Sequence, residues 1–186
     1  MRQGTNNQVY NNIVLTGSQV GNGGIKITGF YHSVHDNYIE GSVENLGIGA
    51  LVLQGGDTNS VDSAGAHGVI DTLVLTNNIL YNNKYGLEVG CKYTPYMPRN
   101  CVIANNKVQQ SSGPCYNITG EGTNNIWFGN TARLTGSATA GSANGVSVTT
   151  TNVDYAYYRS LALTTNDVGP NAVSYTHLTL PTKRIV

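Results

Sequence analysis

A short pattern, valine followed three positions later by asparagine, recurs along this 186-residue chain and constrains its fold more than any other feature. The asparagines of the series are Asn12, Asn37, Asn77 and Asn105, with a looser echo at Asn130, and they are spaced by 25, 40, 28 and 25 residues. Repeats with a period of about 20–50 residues indicate a solenoid, in which each repeat packs on its neighbours. The 40-residue interval predicts one coil that carries an insertion.

Four short apolar segments that end at glycine lie between these asparagines, at 24–29, 49–55, 86–90 and 115–120. Their alternating side chains are typical of strands, so the sequence predicts an all-β chain folded as a parallel β-helix. We expect five or six coils over residues 1–150. Stacked asparagines at one coil position are expected to hydrogen-bond along the solenoid, which is a structural role.

Composition excludes several classes of function. Charged residues make up 11% of the chain and the formal net charge is zero, which argues against a nucleic-acid partner. There is no run of about 18 apolar residues, so no membrane span is predicted. We also expect a monomer. Cys91, Cys101 and Cys115 lack metal-ligand spacing; free thiols in or near the core are favoured, and a Cys91–Cys101 bridge stays open.

The two ends of the chain do not resemble natural termini. Repeat-like sequence begins directly after Met1 with no signal peptide, and residues 174–186 resemble a translated sequencing-adapter tail. We therefore expect an internal piece of a longer, secreted or periplasmic protein. Residues 151–173 have no clear assignment, and residues 174–186 are excluded from fold reasoning as a non-native tail.

Column arithmetic predicts a polar outward face on the glycine-bounded strands. Alternation points the isoleucines beside Lys26 inward and Lys26 and Thr28 outward. One outward column then contains Lys26, Val52, Glu88 and Asn117. An equal spacing of 26 residues puts Arg2, Thr28 and Gln54 in the next column, followed by Gly90 and Thr119. An exposed face of this kind can follow an extended polyanionic sugar.

The loop after Gly90 adds a second group of candidate sugar contacts. It contains Lys92, Tyr93 and Arg99, and a basic, aromatic loop beside a cleft suits sugar binding.

Two segments resemble polysaccharide lyase family six, which contains alginate lyases and chondroitinase B. The first is Met-Arg-Gln-Gly-Thr-Asn-Asn-Gln-Val-Tyr-Asn-Asn at residues 1–12. The second is Gly-Gly-Ile-Lys-Ile-Thr-Gly-Phe-Tyr-His-Ser-Val-His-Asp-Asn-Tyr-Ile-Glu-Gly at residues 23–41. They are similar to the family's Leu-Arg-His-Gly and Gly-Gly-Ile-Arg-Ile motifs. The resemblance is specific to about residue 56 and loose to about residue 130.

The resemblance implies a right-handed, single-stranded β-helix that cleaves uronate-containing polysaccharide by calcium-assisted β-elimination, with alginate favoured over chondroitin or dermatan. It makes Arg2 the catalytic arginine, and Lys26 and His32 substrate contacts. Gln3 stands where the family has histidine, and Lys26 stands where it has arginine. The family's lysine base and calcium carboxylates precede the arginine motif, so we expect them before residue 1.

Two other interpretations stay open. A charge-poor solenoid also suits a non-catalytic β-helix that binds carbohydrate or serves as a structural element. A hydrolase of the pectin type would need paired aspartates on adjacent coils, and the outward columns contain no such pair. The sequence upstream of Arg2 would decide between enzyme and binding protein, because the enzyme needs a lysine and clustered Asn or Glu there.

Overall fold

The computed structural model describes residues 1, 4–16, 23–43, 48–59, 67–90 and 96–162. The chain separates into a unit spanning Met1–Val153 and a second unit that begins at Asp154. In the second unit the structure describes one short helix, α1 (Tyr155–Leu161), with Asp154 as its N-cap. Among the described residues, no helix has the length and apolar character needed to cross a membrane.

The first unit is built from parallel sheets whose strands come from successive coils. The first sheet contains, in order, β1 (Gln8–Tyr10), β5 (Ser33–His35), β9 (Val74–Thr76), β12 (Val102–Ala104) and β15 (Ile126–Phe128). The second contains β2 (Ile13–Leu15), β6 (Tyr38–Glu40), β10 (Ile79–Tyr81), β13 (Lys107–Gln110), β16 (Asn130–Leu134) and β18 (Val146–Thr149).

The third sheet contains β3 (Ile25–Ile27), β7 (Leu51–Leu53), β11 (Leu87–Val89), β14 (Pro114–Ile118) and β17 (Thr139–Gly141). A short fourth sheet pairs β4 (Gly29–Phe30) with β8 (Ile70–Asp71). The described residues therefore form five coils and one strand of a sixth, and the predicted parallel β-helix is confirmed. The four glycine-bounded segments all supply third-sheet strands, as the sequence indicated.

The core fills the interior of the coils with one inward column from the first sheet, one from the second and two from the third. In the first sheet the inward positions are Val34, Leu75 and Ile103, all fully buried. Ile39 and Leu80 take the same place in the second sheet, and together these side chains join one hydrophobic cluster. Stacking of equivalent apolar positions along the axis is what makes a solenoid stable.

An asparagine ladder runs along the corner between the first and second sheets. Its members are Asn12, Asn37, Asn78, Asn106 and Asn130, and the side-chain Nδ2 of each of the first four donates to the Oδ1 of the next member at 2.9–3.0 Å. The backbone N–H of each member donates to the same Oδ1 at 3.0–3.2 Å. Inside the ladder each amide is thus satisfied, as burial requires.

The predicted ladder was wrong by one residue in two coils. Asn77 and Asn105 are not in the ladder; both are exposed and adopt a positive φ of 56°. Val34 pairs with Leu75 and not with Val74, so Asn78 follows the inward column by the same three residues as Asn37. In each Asn-Asn pair the first residue makes the left-handed turn, which asparagine tolerates, and the second enters the ladder.

The two described cysteines are buried free thiols, Cys101 and Cys115. Because Cys101 is free, the alternative Cys91–Cys101 bridge is wrong; Cys91 itself lies outside the described residues. Burial raises the pKa of Cys101 to about 11 and that of Cys115 to about 12. Both thiols therefore behave as small core side chains.

Candidate functional site

The outward face of the third sheet has the register that the sequence predicted. Lys26 pairs with Val52, Val52 with Glu88, and Glu88 with Asn117. In the second column, the backbone N–H of Gln54 donates to Ile27 O at 3.3 Å, which sets Gln54 beside Thr28. The 26-residue spacing between Thr28 and Gln54 was thus a correct guide to their stacking; Arg2, the other member of the predicted series, lies outside the described residues.

This face is covered, not exposed, in the first three coils. Thr28 is 1% exposed, and Val52, Gln54 and Glu88 are 0% exposed, although all four point away from the core cluster. The prediction of an open, flat polar surface is therefore wrong here. Among the described residues, neither Nε2 nor Oε1 of Gln54 has a hydrogen-bond partner. A role for Gln54 in substrate binding stays a prediction.

Two long connections flank the covered part of the third sheet. Residues 41–50 precede β7, and residues 54–69 follow it, which is the insertion expected from the 40-residue interval. The start of the second connection pairs with the loop that follows β11, because Gly56 forms an antiparallel bridge with Tyr96. The Gly56 N–H donates to Tyr96 O at 2.6 Å, and the Tyr96 N–H donates to Gly56 O at 3.2 Å.

Glu88 lies at the centre of the outward face and fits against a glycine. A Cβ atom on Gly49 would stand within 3 Å of Glu88 Oε1, so the carboxylate occupies space that only glycine leaves open. Sequence reasoning placed Glu88 in the column but missed this contact, because Gly49 was assigned to the strand boundary only.

Lys26 is half-buried on the outward face of the first coil, close to the start of the chain. The Met1 ammonium donates to Lys26 O at 2.6 Å, and the Thr28 N–H donates to Met1 O at 3.0 Å, so Met1 stands opposite Ile27. Burial and the charge of Lys26 lower the pKa of the Met1 amine. The Met1 amine and Lys26 thus lie close enough to influence each other's charge.

Arg99, a predicted substrate contact, forms hydrogen bonds with other side chains of the protein. Its Nε donates to Asp71 Oδ2 at 2.7 Å and its Nη1 donates to Asn59 Oδ1 at 2.8 Å. Burial works against ionisation of Asp71, but hydrogen bonds from Asn100, Arg99 and Thr72 outweigh it and lower the pKa of Asp71. Arg99 thus ties the insertion to the fourth sheet, and a sugar would compete with this pairing.

His32 is also engaged within the protein. It is 2% exposed, its Nδ1 accepts the Asn7 N–H at 3.1 Å, and its other ring nitrogen contacts Thr28 O at 3.0 Å. This network assigns the ring proton to Nε2, so both nitrogens are used. His32 occupies a corner position equivalent to Asn125, where Asn125 Oδ1 accepts the Cys101 N–H at 2.9 Å. It joins coil one to coil two, and its role as a substrate contact stays a prediction.

Two predicted site residues, Arg2 and Lys92, lie outside the described residues. Within the described ranges, no group of three His, Cys, Asp or Glu side chains could hold a metal ion. No family model and no curated protein matches the chain.

Proposed function

We propose that this chain is the part of a polysaccharide lyase that contacts a uronate-containing polysaccharide, with alginate the first substrate class and chondroitin or dermatan sulfate the second. The observation that carries the proposal is the pairing of Met1 and Gly4 with residues 26–30, which contain the end of β3 and all of β4. Met1 O and Gly4 O accept from the N–H groups of Thr28 and Phe30 at 3.0 and 3.3 Å. The two segments that resemble the lyase family are thus adjacent in space.

The chemistry of this proposal is β-elimination beside a carboxylate. Arg2 would assist proton delivery to the leaving oxygen, and Lys26 would attract the uronate, because a cation stabilises the developing negative charge. The resemblance assigns the lysine base and the calcium ligands to sequence that precedes Arg2, and calcium would neutralise the uronate carboxylate there. The chain alone is therefore expected to bind polysaccharide and not to cleave it.

The experiment compares this chain with a longer version that includes the upstream sequence. Alginate and dermatan sulfate are supplied with calcium, and the absorbance of the unsaturated uronate product is followed. Turnover by the longer version that is lost in Arg2→Ala, and retained in Lys107→Ala, supports the proposal; Lys107 is exposed on the second sheet. Absence of both binding and turnover by the longer version would contradict it.

A second candidate is a β-helix that binds carbohydrate without cleaving it. One observation favours it over cleavage on this face: Gln54 and Glu88 are fully buried, so the outward face of the first three coils offers no open cleft for a reacting sugar, and a sugar would bind elsewhere on the coils. In this case alginate or dermatan oligosaccharides would bind to the longer version with no new absorbance, and Arg2→Ala would change affinity alone.

A further inference from the structure

A concave pocket of about 310 Å³ lies at the opposite end of the β-helix from Lys26, beside the last complete coil. Trp127 and Ile118 line it with apolar surface, and Glu121, Asn124 and Asn144 line it with polar groups. Pockets that combine an aromatic side chain with a few convergent polar groups are the usual form of small-molecule sites.

The pocket exists because the last turn of the chain omits a strand. Trp127 pairs with Ile103 and so continues the inward column of the first sheet. After β17 the chain passes through residues 142–145 directly to β18 in the second sheet, so no described first-sheet strand covers β15. Trp127 therefore packs on the core and also borders the pocket.

The shortened turn depends on a glycine. Gly145 has a φ of +68°, and a Cβ atom there would lie 2.9 Å from Trp127 O. Only glycine takes this backbone conformation readily while lying so close to another strand. The gap beside the indole is therefore a defined feature of this turn.

The polar wall of the pocket presents mainly acceptors. Asn144 Nδ2 donates to Glu121 Oε1 at 2.9 Å, and Asn124 Nδ2 donates to Asn100 Oδ1 at 3.3 Å. These bonds leave Glu121 Oε2 and the side-chain oxygens of Asn124 and Asn144 to accept from a ligand, together with one further N–H on each of the two amides. A ligand rich in hydroxyl donors fits this wall, whereas the charge of Glu121 repels a carboxylate.

We propose that this pocket binds one uncharged pyranose ring, with the apolar face of the ring on Trp127 and its hydroxyls donating to Glu121 and Asn144. An amphipathic aromatic surface beside planar acceptors matches the two kinds of surface that a pyranose presents. The proposal does not depend on the lyase chemistry, because the pocket involves neither Arg2 nor Lys26.

Trp127 is the single tryptophan of the chain, so its fluorescence reports on this pocket directly. Glucose, galactose and N-acetylglucosamine are titrated into the full chain, with glucuronate and glucosamine as charged probes. We expect a saturable change in emission with the neutral sugars and at least about tenfold weaker binding of glucuronate. Asn144→Ala should weaken neutral-sugar binding by about fivefold to tenfold, the value of one hydrogen bond. Gln8→Ala, an exposed amide on β1, should change nothing.

Glu121→Gln provides the decisive comparison because it keeps the shape and an acceptor but removes the charge. Neutral sugars should bind it within about twofold of the unchanged chain, and its discrimination against glucuronate should shrink. The proposal is overturned if no neutral sugar gives a saturable change up to about 100 mM, well above the weak affinity expected of one ring. Binding of glucosamine alone, or of glucuronate as tightly as glucose, would also overturn it.

Discussion

The backbone N–H of Asn7 donates to Nδ1 of His32 at 3.1 Å, which joins coil one to coil two through an unprotonated ring nitrogen. Burial, opposed by the hydrogen bond to Thr28 and reinforced by the positive Met1 amine, lowers the pKa of His32 below its usual 6.5. Protonation of His32 Nδ1 would place its N–H opposite the N–H of Asn7, and the hydrogen bond between them would be lost. The stabilisation is therefore present above about pH 6.5, the pKa of an unfolded histidine, and is lost as pH falls toward the lower folded value.

The first prediction is that His32→Asn removes this acid sensitivity. Asparagine at the equivalent position, Asn125, accepts a backbone N–H in the same way. Melting temperatures from pH 8 to 4.5 should fall for the unchanged chain and fall less for His32→Asn. His35→Asn, at an exposed pair with Asp36, serves as the control and should retain the decline. Equal slopes for all three proteins would exclude His32 as the titrating group.

The second prediction concerns the ladder register. Asn78→Ala removes hydrogen bonds to Asn106 and Val34 and leaves the donors of Asn37 unsatisfied. We expect a loss of about 2–4 kcal/mol in the free energy of unfolding, measured by urea denaturation. Asn77→Gly should cost less than about 1 kcal/mol, since glycine accepts positive φ. A larger loss of stability for Asn77→Gly than for Asn78→Ala would indicate that Asn77 is the ladder residue, as the sequence predicted.

The third prediction concerns thiol reactivity. In a Cys91→Ser background, Cys101 and Cys115 should not react with a thiol reagent at pH 8, because their pKa values of about 11 and about 12 leave little thiolate and both are buried. Two thiols should react after denaturation. Rapid labelling of the native chain would show that one of these coils opens readily.

The fourth prediction separates structure from sugar binding at Arg99. Arg99→Lys keeps the charge but loses the planar fork that contacts Asp71 and Asn59, so we expect about 1 kcal/mol of lost stability. Because the pKa of Asp71 is lowered in the folded chain, ionised Asp71 stabilises the fold above about pH 4. This stabilisation is lost as the pH falls below that value. Arg99→Lys should therefore reduce the loss of stability on acidification below pH 4. Unchanged stability with weakened alginate binding would instead assign Arg99 to the substrate.

Register was readable from the sequence wherever a coil kept its length. The equal spacing of Thr28 and Gln54 fixed their pairing, and the glycine boundaries fixed the third sheet. The same arithmetic gave the wrong ladder residue at the Asn77-Asn78 and Asn105-Asn106 pairs. Either member of a pair fits the sequence pattern, and only the geometry of the turn decides which one enters the ladder. Trp127 indicated the correct register. It lies in the inward column, and Asn130, three residues later, is a member of the ladder.

Exposure was not readable, because alternation tells which way a side chain points and not what covers it. Glu88 points outward from the strand and is still fully buried. The partners of Arg99 were hidden for a related reason: Asp71 lies 28 residues away, and Asn59 belongs to an insertion that has no equivalent in other coils. Contacts made by insertions leave no periodic signal.

The asparagine ladder gives the β-helix an electrical direction. From Asn12 to Asn106, one N–H of each side-chain amide points toward the next coil, and from Asn37 to Asn130 every Oδ1 points toward the preceding one. The second N–H of Asn37, Asn78 and Asn106 donates to a backbone carbonyl of the preceding coil and offsets part of this alignment. The amide dipoles therefore add along the axis, much as peptide dipoles add in an α-helix, while the alternating backbone bonds of the sheets largely cancel. The edge near Asn12 becomes partially negative and the edge near Asn130 partially positive. A coil added at either edge continues this alignment only if its asparagine amide points the same way.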